Sequence, residues 1–238
     1  MLFKRMLAAL TLAAPLTAAT LNGRITLVSS QDPNVRKHLD YSGVVIWLDP
    51  ISTPARMIVP TSTRHVTMLQ KNKRFTPHIL AIRTGTTVDF PNYDPIFHNA
   101  FSNYDGQLFD VGLYPPGTTR SVLFRREGIV RVFCNIHPSM SAVIVVLKTD
   151  YFTVSDRTGS FQIANVPPGD YRLNIFHERA TDQTLTALER TISLNAGDIN
   201  LQPIAISESG YLPLPHKNKY GHDYPPDAGS GAYPGTRE

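Results

Sequence analysis

Val132-Phe133-Cys134-Asn135-Ile136-His137-Pro138-Ser139-Met140 holds the only cysteine in 238 residues, with a histidine three positions on and a methionine three further. Thiolate, imidazole and thioether are the soft and borderline donors that suit copper. Two imidazoles, a thiolate and a weak axial methionine form the ligand set of an electron-transfer copper site. The stretch is one imidazole short. Upstream, Asn92-Tyr93-Asp94-Pro95-Ile96-Phe97-His98-Asn99 offers it. The expectation is one copper ion bound by His98, Cys134, His137 and Met140.

The spacing suits that chemistry. Residues 128–133 (Gly-Ile-Val-Arg-Val-Phe) read as a strand by β-branched content and alternation. Cys134 then stands at a strand end, 135–139 form a short loop, and Met140 opens a second strand over 141–147. Such a unit turns three side chains toward one point at the rim of a β-sandwich, while His98 has to arrive from a neighbouring strand or loop.

These residues resemble the cupredoxins, the blue copper proteins, and the Cys-x-x-His-x-x-Met loop with Pro138 after the histidine is most similar to the amicyanin type. Phe75-Thr76-Pro77, leading into residues 79–92, resembles the family's second and third strands. His98-Asn99 repeats its His-Asn pair, in which the asparagine steadies the ligand loop. The resemblance covers residues 62–148 and extends to a methylamine-utilisation-like periplasmic group that carries a second β module. It implies a Greek-key β-sandwich with one type 1 copper ion, Cys134 as the electron-conducting ligand, His98 and His137 completing a trigonal plane, and Met140 as the long axial contact. It also implies single-electron shuttling with a transient redox protein partner, docking near His137 on an apolar surface of Pro95, Ile96, Ile136 and Pro138.

The remaining composition agrees with an exported all-β protein. Nineteen prolines and 15 glycines point to many turns. Lys4 and Arg5, an apolar run over 6–16 and the small residues Thr17-Ala18-Ala19 make residues 1–19 a secretory signal. That run is shorter than the ~20 residues a membrane span needs, so no membrane span is expected in the mature chain. Without the signal, 21 basic residues stand against 19 acidic ones, too even a balance for a nucleic-acid partner. Exported proteins use cysteine mostly in disulfide pairs, so a lone Cys134 is best explained as a ligand; the bland alternative is a buried structural thiol. The expected location is the periplasm.

Outside the copper segment the chain reads as a second β module. Residues 23–28 and 43–48 are strands separated by a polar loop over 29–41 with an Asp32-Pro33-Asn34 turn signal, and the run from Asp49 to Thr63 is a linker. Trp47 is expected in a core. Thr119 to Phe124 form a strand of the copper segment. His78 is given a structural or supporting role, and His38 and His65 a solvated one. After Leu147, residues 153–163 read as a hairpin closed by Asp156-x-x-Gly159. Pro167-Pro168-Gly169 is a tight turn, and 186–206 add two strands. Asp156-x-x-Gly159-x-Phe161 and Pro167-Pro168-Gly169-x-Tyr171 resemble the carboxypeptidase regulatory-like module, a small transthyretin-like sandwich. Residues 149–206 would then lack their first strands and 21–50 would supply them, with the copper domain inserted between the second and third. The alternative is an N-terminal hairpin on the copper domain followed by an independent sandwich. Residues 207–238, holding His216 and His222, read as a disordered tail.

Three function classes follow. A carrier needs only the four ligands. An oxidase or nitrite reductase needs histidines beside the cysteine, where this chain has Phe133 and Asn135, so catalysis is not expected. Copper storage or delivery, or a non-redox binding or structural module, is the alternative.

Overall fold

Residues 142–147 run Ala-Val-Ile-Val-Val-Leu without a polar side chain, and all six are buried. A strand that is apolar at every position has both faces covered, and the whole molecule is built on that fact. The structure is a computed structural model and describes residues 18–51, 64–103, 106–212 and 216–224. In chain order it contains β1 (Ala19–Val28), α1 (Pro33–His38), β2 (Val45–Pro50), β3 (Arg64–Thr67), β4 (Leu69–Lys71), β5 (Arg74–Thr76), β6 (Ile79–Arg83), β7 (Thr86–Pro91), β8 (Phe101–Ser102), β9 (Phe109–Asp110), β10 (Thr119–Phe124), β11 (Gly128–Phe133), β12 (Ser141–Leu147), β13 (Phe152–Val154), β14 (Ser160–Val166), β15 (Gly169–Phe176), α2 (Asp182–Leu188), β16 (Arg190–Leu194), β17 (Gly197–Asn200) and β18 (Ile204–Ser207). It is an all-β protein of two sandwiches.

One sandwich comes from the middle of the chain. The sheet β6-β12-β11-β8-β9 faces the sheet β10-β7-β3, with the β4-β5 hairpin at one side. Ile82, Val88, Phe90, Phe124, Val130, Val132, Ala142, Ile144 and Val146 fill the space between them. The other sandwich takes strands from both ends of the chain: β1 joins β14, β17 and β18, while β2 lies between β13 and β15, with β16 beyond. Ile25, Ile46, Leu48, Phe161, Leu173 and Ile206 form its core. So β1 and β2 pair with strands beyond residue 150, on opposite sheets, and the first sandwich lies between β2 and β13 in sequence.

A third core joins the two. Val143, Val145 and Leu147 project from the outer face of β12 onto Val45 and Phe176, with Trp47, Phe152 and Leu185 half-buried around them. Trp47, expected in a core, is instead half-buried at the edge of this one, its Nε1 donating to Asp49 Oδ2 at 3.1 Å. Asp150, where the chain returns to the second sandwich, pairs with Arg64 at 3.0 Å and with Arg83.

Several elements differ from the sequence reading. The expected loop over 29–41 contains α1, because Asp32-Pro33-Asn34 is a helix start: the Asp32 carboxylate accepts from the Asn34 amide at 2.7 Å and Pro33 takes the first turn. The Asp156–Gly159 turn forms, with the Gly159 amide donating to the Asp156 carbonyl at 2.9 Å. The strands it links part company, however, β13 pairing with β2 and β14 with β1. It is a crossing between sheets, not a hairpin. Gly159 is required there twice: its φ is +81°, and a Cβ would fall 2.1 Å from the Ile25 carbonyl oxygen.

Residues 182–188 are α2, started by Thr181, and three strands follow where two were expected. The last of them, β18, runs parallel to β1 with Ile25 opposite Ile204. The tail over 207–238 is ordered in part: residues 216–224 lie on the first sandwich through hydrogen bonds that polar composition does not reveal. Residues 1–17 of the signal segment, 52–63 of the linker and 225–238 of the tail lie outside the described residues, and Ala19 opens β1. Among the described residues no helix is long and apolar enough to cross a membrane.

Candidate metal centre

The β11-β12 register brings Phe133 opposite Ser141, so residues 134–140 close over a paired strand end. Two backbone bonds draw the loop in. The Cys134 amide donates to the Met140 carbonyl at 3.1 Å, and the Met140 amide donates to the His137 carbonyl at 3.0 Å. His98 comes from the other side, in a bridge with Tyr114: the His98 amide donates to the Tyr114 carbonyl at 3.2 Å and the reverse bond is 2.9 Å.

The result is a three-donor cluster. Cys134 Sγ lies 3.5 Å from His137 Nδ1 and 3.8 Å from His98 Nδ1, and the ligating atoms of all three fall within 4.8 Å of one another. Among the described residues this is the one such group of three or more. Cys134, His98 and Met140 are fully buried, His137 half-buried. Met140 shares the core that holds Cys134.

Asp94 sets the chemistry of His98. Its Oδ2 accepts from His98 Nε2 at 2.8 Å, which fixes the proton on Nε2 and leaves the Nδ1 lone pair facing the sulfur. The same carboxylate accepts the amides of Asn72 at 2.6 Å and Lys73 at 2.8 Å. Both residues have left-handed φ, +56° and +55°, as a two-residue hairpin turn of this kind demands. One carboxylate therefore orients a ligand and holds the turn between β4 and β5. Burial works to raise the Asp94 pKa, but the two amides and His98 outweigh it and lower the pKa below its ordinary value.

Asn99 holds the loop from the side. Its Oδ1 accepts the Asn135 amide at 2.6 Å, and its Nδ2 donates to Asp110 Oδ1 at 3.1 Å. Burial pushes the Cys134 thiol up and pushes His98 down against the pull of Asp94. His137 falls to about 4, through burial first and then through His98 and Lys73. At neutral pH both imidazoles are therefore uncharged and able to act as donors.

Of the four expected ligands, the structure converges the donor atoms of His98, Cys134 and His137, and places Met140 at the loop's end. His78 lies apart: its Nδ1 donates to the Ser141 carbonyl at 3.0 Å and its Nε2 faces Glu178. His65 faces the Asp89 carboxylate at 2.9 Å. His216 was expected in solvent and instead stacks on Phe133, ring centroids 4.0 Å apart. The sequence reading missed Asp94, although an Asp four residues before a candidate ligand was the available signal.

No family model matches the chain. Over 60 residues, 25% of this chain, it is 38% identical to the methylamine utilization protein MauL of Methylorubrum extorquens, and the match spans 53% of that relative's length. Among solved structures it is similar to a purple cupredoxin from Nitrosopumilus maritimus, at 26% identity over 35% of this chain and 99% of that one, TM-score 0.32. It is also similar to a reduced amicyanin variant, at 17% identity over 43% of this chain and 98% of that one, TM-score 0.34.

Proposed function

We propose that this chain is a periplasmic electron carrier that holds one copper ion on His98 Nδ1, Cys134 Sγ, His137 Nδ1 and, as a weaker fourth ligand, Met140. The observation that carries the proposal is the convergence of one buried sulfur and one nitrogen from each of two imidazoles within 4.8 Å, a donor set matched to copper in chemistry and number. Bound there, the metal would take up and release one electron. Residues of the chain do the rest. Asp94 presents His98 in the binding tautomer. Asn99 and the strand register hold Cys134 and His137 near their ligating positions, and the surrounding core keeps water from the sulfur. The Cys134 thiol gives up its proton when a metal binds.

His137 is the half-buried edge of this cluster, next to the exposed Pro138. We read that rim as the place where a redox protein partner makes a small, transient contact. The identity with a methylamine utilization protein directs the search for that partner first to the proteins of methylamine utilization. The residues flanking Cys134 offer no ligands for a second copper, which supports a carrier over a catalyst. The second sandwich we read as a carboxypeptidase regulatory-like module on its Asp156-x-x-Gly159-x-Phe161 and Pro167-Pro168-Gly169-x-Tyr171 motifs.

The test is to add Cu(II) to the protein and to a Cys134→Ser variant and record visible absorption. An intense thiolate-to-copper band, bleached by reductant and absent from the variant, is expected. A colourless wild-type protein whose thiol still titrates would overturn the proposal.

A further inference from the structure

The segment 216–224 lies some eighty residues beyond the ligand loop and touches it at three points. Tyr224 donates its hydroxyl to the Cys134 carbonyl at 2.7 Å. His216 Nε2 donates to the Pro138 carbonyl at 2.7 Å, and the Lys219 amide donates to Asn135 Oδ1 at 3.0 Å. These bonds bracket Cys134 and His137, two of the three converging donors. The stacking of His216 on Phe133 adds an apolar contact one residue before Cys134.

The contacts close on themselves. The Lys219 ammonium pairs with Asp110 Oδ2 at 2.8 Å, Asp110 Oδ1 accepts from Asn99, and Asn99 accepts the Asn135 amide. Asn135 is thus gripped by its amide from Asn99 and by its side chain from Lys219, in a ring of four hydrogen-bonded links. The segment is shaped to do this. Asn218 Oδ1 accepts the amides of Tyr220 at 2.9 Å and His222 at 3.1 Å. Gly221 supplies a φ of +78°, and the Tyr224 hydroxyl lies 3.2 Å from His216 Nδ1, joining the two ends.

We propose that residues 216–224 are a strap that positions the ligand loop, with His216, Lys219 and Tyr224 as positioning residues that hold the backbone of 134–138 in its binding shape before any metal is present. Its consequence for copper rests on the function proposed above; its existence does not. The strap shields the backbone around the sulfur and lowers the number of loop conformations a bound metal would have to select.

The test uses the full chain without metal, comparing wild type with a His216→Ala/Tyr224→Phe double variant. The readouts are the rate at which Cys134 reacts with iodoacetamide and the exchange of the amides of residues 134–137. The thiol rate is expected to rise roughly tenfold, as two ordinary hydrogen bonds are lost, and the loop amides to exchange faster, while the melting temperature moves little. A copper-loaded sample should also show a shifted thiolate band. Should the double variant fail to fold, Tyr224→Phe alone, which removes one hydroxyl, is expected to raise the rate a few-fold. Unchanged thiol reactivity and exchange in a folded variant overturn the strap. A colourless wild-type protein overturns the copper reading and leaves the thiol result to decide the strap.

Discussion

Asp94 is the side chain on which the most chemistry depends for its size. It is buried, ionised and satisfied by three donors, two of which are the amides of a turn with both residues in left-handed backbone. Supporting groups of this kind fix the orientation and basicity of a ligating imidazole, and losing one typically costs ten- to a hundredfold in metal affinity. Asp94→Asn keeps the shape and removes the charge. It is expected to weaken copper binding by roughly that factor, read by competition with a chelator of known strength, while Cys134 and His137 still converge. An affinity equal to wild type would mean that His98 needs no partner to present Nδ1. The sequence displayed the ligands better than it displayed this support. Cys134, His137 and His98 stood out by residue type and spacing; the Asp94–His98 bond spans only four residues and left a local signal, whereas the amides of Asn72 and Lys73 that hold the Asp94 carboxylate lie more than twenty residues away, where no local pattern encodes them.

At the level of elements, the strands that sequence located closest to their observed limits are those with an apolar face and a clear stop: 119–124, 128–133 and 141–147. Short helices escaped it for a physical reason. α1 buries only Val35 and α2 buries no residue fully, with Leu185 and Leu188 only half-buried, so neither leaves a long periodic apolar stripe to detect. The Asp156–Gly159 turn was legible as a turn, but its role in crossing between sheets depends on Ile25, far away in sequence. β12 makes the two-faced burial testable. Ile144 faces the core that holds Cys134, and Val145 faces the second sandwich. Ile144→Ala should cost about 2–5 kcal/mol in chemical denaturation, through lost contacts and a residual cavity. Val145→Thr conserves shape but puts a hydroxyl into an apolar joint, with an expected cost of about 1–3 kcal/mol. If Val145→Thr were as stable as wild type, the outer face of β12 could not be sealed by the second sandwich.

At the scale of the whole molecule, a sandwich assembled from both ends of a chain encloses another, and the third core binds them face to face. One polar contact across that joint can be tested with pH. His78, just before β6, places Nε2 2.8 Å from Glu178 Oε2, just after β15, and Nδ1 3.0 Å from the Ser141 carbonyl. Both ring nitrogens face acceptors, so only the protonated imidazole donates to both. The Glu178 bond raises the His78 pKa above its ordinary 6.5, burial opposes it, the Ser141 carbonyl adds to it and Arg179 works against it. Burial pushes Glu178 up, but His78 and Arg179 hold it below 4.5. The signs follow. A raised imidazole pKa contributes stability fully below 6.5 that is lost as pH climbs through the folded value; a depressed carboxylate contributes above 4.5 and loses it as pH falls through its own. The bridge is therefore strongest between those limits. The stability difference between wild type and His78→Ala should peak near about pH 6 and shrink by about pH 8, by no more than about 1 kcal/mol, because the half-exposed ring is screened by solvent. A difference that stays flat across that range would mean that the His78–Glu178 bridge adds nothing to the joint between the two sandwiches.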